Sequence, residues 1–415
     1  MPSAEIVIVG CGPAGAVLGL LLARSGIRVT LLEQAATFER EFRGEALQAG
    51  TQRIFDDIGL GAHLRALDHG SPTGVALDVD GRSVRFDFAT GPLPVVGMLA
   101  VPQPRLLQMV VEEAQREPGF SIRMGAVVRD LMIEAGRVCG VRYSDAAGEL
   151  HDVPALCVVA ADGRASAVRR LAQIPMRSFF MPYDLVWFSV DGVADTLVRG
   201  TVRGREVLFG FPSRSQRTQI GWLIEKQSYG TLRSEGFAAA KARIVALAPE
   251  PLRSAIENSL RGFDDLALLP AVSQMARRWW RPGLLLIGDA AHPSSPVGAQ
   301  GINLAIADAV VAARSLAIAA RSGLIADTVL AQVERERRGP TQRVQRQQNT
   351  VPFLFNAFGS GRVVRMLLWT IDVFARLRME PPFLRGAVDR FSWGDPPVRA
   401  DQGPWATGRP GVAPP

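Results

Sequence analysis

Lysine is almost absent from this chain, although its formal net charge is positive. Only Lys226 and Lys241 are lysines among the 47 basic residues, and the net charge is +7 with a pI of about 10.1. Such a charge would suit nucleic acid or an anionic membrane. The arginines, however, are scattered along the chain, a bias typical of a GC-rich genome. We therefore expect no nucleic-acid partner and no membrane contact.

Cysteine is also scarce, and its positions show no metal-binding pattern. Cys11, Cys139 and Cys157 have no CxxC spacing and no histidine-rich surroundings, so we expect neither a metal site nor a disulfide framework. No uncharged apolar run reaches about 18 residues, the length that indicates a membrane span, and no basic leader precedes the first strand. With 47% hydrophobic residues, the sequence predicts a folded, cytoplasmic protein with a large core.

The chain begins with a pattern typical of a dinucleotide-binding βαβ unit. EIVIVG is a buried strand, PAGAVLGLLLARSG a helix, and IRVTLLE a second strand. The spacing Gly10-x-Gly12-x-x-Gly15 would bring a helix N-terminus against a pyrophosphate. Glu33, at the end of the second strand, could bind both ribose hydroxyls and would repel a 2′-phosphate. These residues alone do not distinguish FAD from NAD.

Two further motifs follow other buried strands. CVVAADG places Asp162-Gly163 at a strand end, where a plain turn explains the pattern at least as well. LLLIGDAAH places Gly288-Asp289 at the end of another strand, and a loop rich in Gly and Pro then leads into a helix near Gly301. An acid at a strand end can hold a sugar or ribityl hydroxyl. The N–H groups at a helix start can stabilise a negative charge.

In this order, the three motifs resemble those of the flavoprotein monooxygenases of the para-hydroxybenzoate hydroxylase type, over roughly residues 4–345. The resemblance implies FAD in an extended pose, with its ADP half at the N-terminal glycine motif and its isoalloxazine over Pro296 to Asn303. Pro296 and Gly298 would line the reactive face. No catalytic side chain is implied, because a C4a-hydroperoxide of the flavin is the oxidant. The implied cofactor-binding residues are Gly10, Gly12, Pro13, Ala14, Gly15, Glu33, Arg43, Gln103, Asp162, Arg169, Gly288, Asp289, Pro296, Gly301, Ile302 and Asn303.

The resemblance and the strand patterns together predict an α/β fold. A Rossmann-like FAD-binding domain would be interleaved with an antiparallel-sheet substrate domain, indicated by VALDVDGRSVRFDF, DLVWFSV, EVLFGF and TQIGWLIE. C-terminal helices would follow. The predicted boundaries are 1–71, 101–175 and 274–345 for the FAD-binding domain, 72–100 and 176–273 for the substrate domain, 346–394 for the helical region and 395–415 for a loose tail rich in Pro and Gly.

The activity implied by the resemblance is a FAD-dependent monooxygenase reaction that consumes NADPH or NADH and O2. Its product would be a hydroxylated aromatic or polyketide-like small molecule. NAD(P)H would visit a groove transiently, with Arg43 and Arg169 near its phosphates. A flavin halogenase, a prenyl-chain reductase and a FAD-bound sensor are the alternatives. The Trp-x-Trp-x-Ile-Pro signature of halogenases is not found in the sequence.

The substrate is expected between the flavin and the antiparallel sheet. Trp187, Phe209 and Trp222 lie on predicted strands and are the candidate substrate-binding residues, although strand aromatics often belong to the core. His292, within GDAAH, is interpreted as structural support and not as an acid or base. The amphipathic stretch RVVRMLLWTIDVFARLR, residues 362–378, is expected to pack on the FAD-binding domain; the alternatives are that it covers the pocket or lies on a membrane surface.

Overall fold

The computed structural model describes most of the chain, and every structural statement below concerns the residues that it describes. These are residues 6–39, 46–79, 81–88, 97–193, 196–204, 206–214, 216–357, 382–394 and 396–405. Arg43 and the amphipathic stretch 362–378 were singled out in the sequence and lie outside the described residues.

The described residues form 20 strands and 11 α-helices. The strands are β1 (Ile6–Val9), β2 (Val29–Glu33), β3 (Ala46–Leu47), β4 (Gly74–Val79), β5 (Arg82–Asp87), β6 (Leu99–Ala100), β7 (Phe120–Met124), β8 (Val127–Glu134), β9 (Arg137–Ser144), β10 (Leu150–Pro154), β11 (Cys157–Ala160), β12 (Met176–Ser178), β13 (Tyr183–Asp191), β14 (Leu197–Arg203), β15 (Glu206–Arg214), β16 (Arg217–Glu225), β17 (Ala267–Leu269), β18 (Gln274–Ala276), β19 (Trp280–Arg281) and β20 (Leu284–Leu286). The helices are α1 (Pro13–Arg24), α2 (Ala49–Asp57), α3 (Gly61–Ala66), α4 (Gln103–Ala114), α5 (Ala167–Leu171), α6 (Tyr229–Glu235), α7 (Phe237–Leu247), α8 (Glu250–Ser259), α9 (Gly301–Ala320), α10 (Asp327–Ala357) and α11 (Pro382–Trp393).

One layer of the fold is a six-stranded sheet in the order β19-β20-β11-β1-β2-β7. It is parallel except at its β19 edge. Its central strands are fully buried aliphatic runs, as expected for a parallel sheet that is covered on both faces. Helices α1, α4 and α9 pack on one face. The small antiparallel sheet β10-β9-β8 packs with α5 on the other.

A second layer is a seven-stranded sheet in the order β17-β13-β16-β15-β14-β4-β5. Its pairings are antiparallel except for β14 with β4. Helices α6, α7 and α8 cover one face. The strands of this sheet come from residues 74–87 and 183–269, whereas the parallel sheet uses 6–33, 120–160 and 280–286. The predicted combination of an α/β layer with an interleaved antiparallel sheet is therefore confirmed.

Helix α9 is the one described helix that is long and apolar enough, by length and composition, to cross a membrane. In its most apolar window 72% of the residues are buried inside the protein. The helix also carries Asp308, which is fully buried and bonded within the protein. Both observations are typical of a core helix that packs between α1 and α10.

Helix α10 crosses the predicted domain boundary between residues 345 and 346. It runs continuously from Asp327 to Ala357, because its face is held against the loop that follows β20. The Gln345 amide donates to the Pro293 carbonyl (3.1 Å), and the Gln348 amide donates to the Ser295 carbonyl (3.0 Å). A domain boundary within this helix is therefore not supported.

The expectation of a loose tail is wrong for residues 396–405. The Arg399 guanidinium binds the Asp57 carboxylate on α2, with its Nε 3.0 Å from Oδ2. Ala400 is fully buried, and the Trp405 indole donates to its carbonyl (2.7 Å). An ion pair and a buried indole thus fix a segment that has no regular secondary structure, which its Pro and Gly content did not reveal.

Candidate active site

A cavity of about 1230 Å³ is lined by residues of both large sheets. It is larger than a typical site for one small molecule, about 300–1,000 Å³. The cavity can therefore hold a cofactor and a second ligand together. The predicted site residues that line it are Gly10, Gly12, Pro13, Ala14, Glu33, Gln103, Asp162, Asp289, Pro296, Gly298, Gly301, Ile302, Trp187 and Phe209.

The N-terminal glycine motif forms one end of the cavity from backbone alone. Gly10 has φ +98°, and a Cβ there would lie 2.5 Å from the Ala161 carbonyl oxygen. A Cβ at Gly15 would overlap the carbonyl oxygen of Gly10, so Gly15 contributes close packing and does not line the cavity. Gly12 is the N-cap of α1. The partial positive charge and the free N–H groups of this helix start suit a pyrophosphate.

Glu33 lies at the carboxyl end of β2 and is buried beside the glycine motif. Its Oε2 accepts from the Cys11 N–H (2.7 Å), and its Oε1 accepts from the Ala35 N–H (2.8 Å). Two backbone donors thus fix the carboxylate in orientation. Glu33 lines the cavity, so its carboxylate can meet ribose hydroxyls there.

Asp162 and Arg169 follow β11 and have different surroundings. The Asp162 carboxylate lines the cavity and accepts from Ser166 Oγ (2.5 Å) and the Val168 N–H (3.1 Å). Burial raises the pKa of Asp162, although these hydrogen bonds oppose the shift. Arg169 is buried outside the cavity, and its guanidinium donates to the carbonyls of Ala290 (2.9 Å) and Arg164 (3.0 Å). Arg169 therefore joins two cavity loops, and the predicted contact with FAD and NAD(P)H does not fit this geometry.

A buried charged cluster supports the Gly288-Asp289 motif. The Asp308 carboxylate accepts from the Gly288 N–H (3.0 Å), pairs with His292 Nε2 (2.5 Å) and accepts from Arg337 Nε (2.7 Å). Burial would raise the pKa of Asp308, but the charges of His292 and Arg337 outweigh it and hold that pKa below its ordinary value. Gly288 is thus a support residue and does not line the cavity, whereas the next residue, Asp289, does.

His292 has the supporting place that the sequence suggested, and its ring lies 4.8 Å from that of Trp279 at a tilt of 35°. Asp308 and Arg337 were not predicted. The available signal was an acid inside the apolar run LAIADAVVAA of α9, since a charged residue in a buried helix face needs a partner.

The loop from Pro296 to the start of α9 forms another part of the cavity wall. Gly298 has φ +71° within a single helical turn, and Gly301 begins α9. Pro296, Gly298, Gly301 and Ile302 line the cavity. The first N–H groups of α9 have no acceptor within the helix, so they are available to a bound group that carries negative charge.

Asn303 does not line the cavity. Its side-chain oxygen accepts from the Gln48 N–H (2.9 Å) and from Thr51 Oγ1 (2.7 Å), and its amide donates to the Ala46 carbonyl (3.0 Å). These bonds fix the start of α9 against β3 and α2. The sequence assigned only the backbone N–H of Asn303 to the cofactor, and these bonds account for its side chain.

The antiparallel sheet contributes an apolar, aromatic wall. Trp187 and Phe209 line the cavity with ring centroids 5.9 Å apart, and Phe211 lies 5.7 Å from Trp187. The Trp187 indole donates to Gln219 Oε1 (2.9 Å), which fixes its ring orientation. This wall suits a flat apolar ligand.

Trp222 lies on the opposite face of the same sheet, so the prediction that it binds substrate does not fit. It is 1% exposed, packs with Leu208, Leu232 and Ile244 in the core beneath the helices, and lies under the Arg243 guanidinium at 5.5 Å. The reason is strand alternation: Gly221, one residue earlier, pairs with Trp187 and Phe209.

Two further contacts were not predicted from the sequence. The Tyr183 hydroxyl, on β13, is 2.7 Å from Ser295 Oγ, next to Pro296, and both residues line the cavity. Burial raises the pKa of Tyr183 to about 12, so the phenol is neutral. Phe391, from α11, lines the cavity beside Gly298. Residues far apart in sequence give no local signal for such contacts.

The donor set and the shape of the cavity fit FAD. A side-chain-free cradle and a helix N-terminus suit its pyrophosphate, and the Glu33 carboxylate suits its ribose. Asp289 and the first turn of α9 can meet its ribityl chain and its ring oxygens. When bound, FAD accepts a hydride and activates dioxygen.

Comparisons with known proteins agree with this fit. The family model of the FAD binding domain matches residues 3–348. The 6-methylpretetramide 4-monooxygenase of Streptomyces rimosus is 36% identical over 408 residues, covering 98% of this chain and 96% of that relative. Squalene epoxidase 6 of Arabidopsis thaliana is 25% identical over 328 residues, covering 76% of this chain and 62% of that relative.

Solved structures share the fold. PqsL of P. aeruginosa, in complex with 2-aminobenzoylacetate, superposes with a TM-score of 0.73 at 23% identity, covering 84% of this chain and 96% of that chain. The myxobacterial chondrochloren halogenase CndH superposes with a TM-score of 0.70 at 21% identity, covering 81% of this chain and 79% of that chain.

The chain belongs to the FAD binding domain family. It is a FAD-dependent monooxygenase, an oxidoreductase that uses NAD(P)H as co-substrate, as the resemblance in its motifs implied. The prediction of FAD as the cofactor is therefore confirmed.

Proposed function

We propose that this monooxygenase hydroxylates a polycyclic aromatic polyketide. The observation that carries the proposal is the continuity of one cavity from a FAD-shaped cradle to the aromatic wall at Trp187 and Phe209. The relative that is 36% identical over 98% of the chain is named for the oxygenation of a pretetramide, a substrate of this class.

The cofactor would lie extended along the cavity. Its ADP half would lie on Gly10 to Gly15 with the ribose at Glu33, and Asp289 would accept from the ribityl chain. Gln103, buried at the start of α4, would contact the flavin from the opposite side. The flavin ring would lie at Pro296 and Gly298, where the N–H groups that begin α9 would stabilise negative charge on its pyrimidine oxygens.

The substrate would lie between that loop and the antiparallel sheet. Trp187 and Phe209 would stack on its rings and exclude water, which is required because water diverts activated oxygen to hydrogen peroxide. The Tyr183 and Ser295 hydroxyls, paired at 2.7 Å, are polar groups on this wall that can orient an oxygen substituent.

The hydride donor would approach the exposed side of the cavity near Arg164, which lines it and lies 4.0 Å from Asp289. Arg169, bonded to two carbonyls, supports this loop from behind. We also propose a cytoplasmic location, since such a reaction draws on the cellular pool of NAD(P)H.

The test is to incubate the FAD-loaded enzyme with NADPH or NADH, labelled dioxygen and a panel of phenols, quinolones and polycyclic polyketides. We expect a polycyclic polyketide to stimulate NAD(P)H oxidation and to gain one labelled oxygen atom by mass spectrometry. An anaerobic arm identifies a reductase, and a halide-supplemented arm identifies a halogenase. Turnover without oxygen, or a halogenated product, would contradict the proposal.

A further inference from the structure

The C-terminal helix α11 reaches the reactive end of the flavin cavity. Phe391 lines the cavity, and a Cβ placed on Gly298 would lie 3.2 Å from Cε2 of its ring. The Gln300 amide is 3.5 Å from the Phe391 carbonyl. An aromatic ring from the C-terminal region thus lies against the loop on which the isoalloxazine is placed.

The position of α11 is fixed from outside by α2. The Trp393 backbone packs so closely on α2 that a Cβ at Gly50 would lie 2.5 Å from the Trp393 carbonyl oxygen. Beyond the helix, the Asp57 carboxylate accepts from Arg399 Nε (3.0 Å) and from the Ala400 N–H (3.0 Å). These contacts hold the chain at Trp393 and beyond it, and the Gln300 contact holds it at Phe391, so the Phe391 ring has a defined place.

The remaining neighbours of this part of the cavity explain why one ring matters. Gly298 has no side chain, and Pro296 is only partly buried. A benzyl side chain covers much apolar area and carries no polar group that would hold a water molecule. Removing it would leave a gap beside Gly298, which has no side chain to fill it.

We propose that Phe391 shields the reactive face of the flavin from water and so determines how much NAD(P)H oxidation yields product. In the productive reaction NAD(P)H, H⁺, O2 and substrate RH give NAD(P)⁺, ROH and H2O. In the unproductive reaction NAD(P)H, H⁺ and O2 give NAD(P)⁺ and H2O2, and a wetter cavity favours it. The proposal rests on the placement of the isoalloxazine over Pro296 and Gly298.

The test is Phe391→Ala in the FAD-loaded protein, without any substrate. Iodide quenching of the fluorescence of bound FAD should become several-fold more effective, because the isoalloxazine would then be open to solvent. Phe391→Leu keeps an apolar side chain and should restore much of the shielding. Arg390→Ala, an exposed neighbour on the same helix, is the matched control and should behave like wild type.

A second readout separates shielding from a general loss of structure. With a substrate that stimulates NAD(P)H oxidation, the fraction of oxygen released as H2O2 should rise in Phe391→Ala while the FAD content per chain stays constant. Should Phe391→Ala lose its FAD, Asp57→Asn, which weakens the bonds of Asp57 to Arg399 and Ala400 that hold the chain beyond α11, decides by the same quenching measurement.

Wild-type quenching in FAD-loaded Phe391→Ala or, where that variant loses FAD, in Asp57→Asn would overturn the proposal. The quenching measurement uses no substrate, so its failure is distinguishable from failure of the proposed polyketide hydroxylation. A negative substrate survey with increased quenching would leave the shielding role intact.

Discussion

The two ends of the cavity differ in what lines them, which is mainly backbone at one end and side chains at the other. At the end where the ADP half of FAD is proposed to bind, much of the wall is backbone: Gly10 and Gly12 present no side chain, and α1 begins there. At the end where the substrate is proposed to bind, the wall is side chain: Trp187 projects from β13 and Phe209 from β15, on either side of β16. At the first end a Cβ on Gly10 or Gly15 would overlap backbone atoms, whereas the shape of the second end can be changed by substituting side chains.

This difference explains how one scaffold supports several reactions. In the proposed pose the backbone cradle would bind the ADP half of the cofactor, and its glycines are constrained by sterics. A wall of alternating strand side chains can change its ligand through single substitutions without moving the sheet. The solved relatives, which include a halogenase at a TM-score of 0.70, share the fold at low identity.

The largest effect is expected at the backbone end, from Gly15→Ala. Its Cβ would overlap the Gly10 carbonyl oxygen, which is backbone and cannot move aside without displacing the glycine loop. We expect loss of bound FAD and a fall in the free energy of unfolding of more than about 3 kcal/mol. Flavin absorbance of the purified variant and urea denaturation measure both quantities.

The matched control for this variant is Gly230→Ala on α6. Nothing lies within 4 Å of a Cβ at that position, so the change should leave FAD binding intact and slightly raise helix stability. A Gly15→Ala protein that retains FAD at the wild-type ratio would contradict a cradle built by sterics.

The side-chain end can be tested with Trp222→Ala and Trp187→Ala. Trp222 is buried away from the cavity, so its removal should lower the free energy of unfolding by about 3 kcal/mol and leave product identity unchanged. Trp187 borders the cavity, so its removal should cost less stability and should weaken substrate-stimulated NAD(P)H oxidation. Equal loss of substrate response in both variants would contradict the assignment of the two faces.

These contrasts also mark what the sequence can reveal. Residues Gly10 to Glu33, the Gly288-Asp289 turn and the start of α9 were predictable, because each is a local pattern in which strand, turn and helix follow one another. The hairpin of β4 and β5 was predictable for the same reason, since an Asp-Gly turn and alternating residues specify it.

The substrate wall was not predictable in the same way. A strand pattern shows that two faces exist but does not identify the face that meets the cavity, which is why Trp222 was assigned to the wrong one. Contacts such as that of Phe391 with Gly298 join residues about 90 positions apart, and no local rule predicts them. The buried role of Arg169 likewise depends on the Ala290 carbonyl, far along the chain.

The smallest expected effect concerns the contact between the antiparallel sheet and the loop that leads to α9, where the Tyr183 hydroxyl meets Ser295 Oγ. Tyr183→Phe removes one hydrogen bond and should lower the free energy of unfolding by about 1 kcal/mol at neutral pH. Burial raises the pKa of Tyr183 from 10.0 to about 12, which favours the neutral phenol in the folded protein. The associated stability is therefore fully present below pH 10.0 and is lost as the pH rises through about 12. Urea denaturation at neutral pH and above pH 10.0 should show the wild type losing more stability than Tyr183→Phe. Equal losses of stability in the two proteins would mean that the Tyr183 phenol is not buried against Ser295.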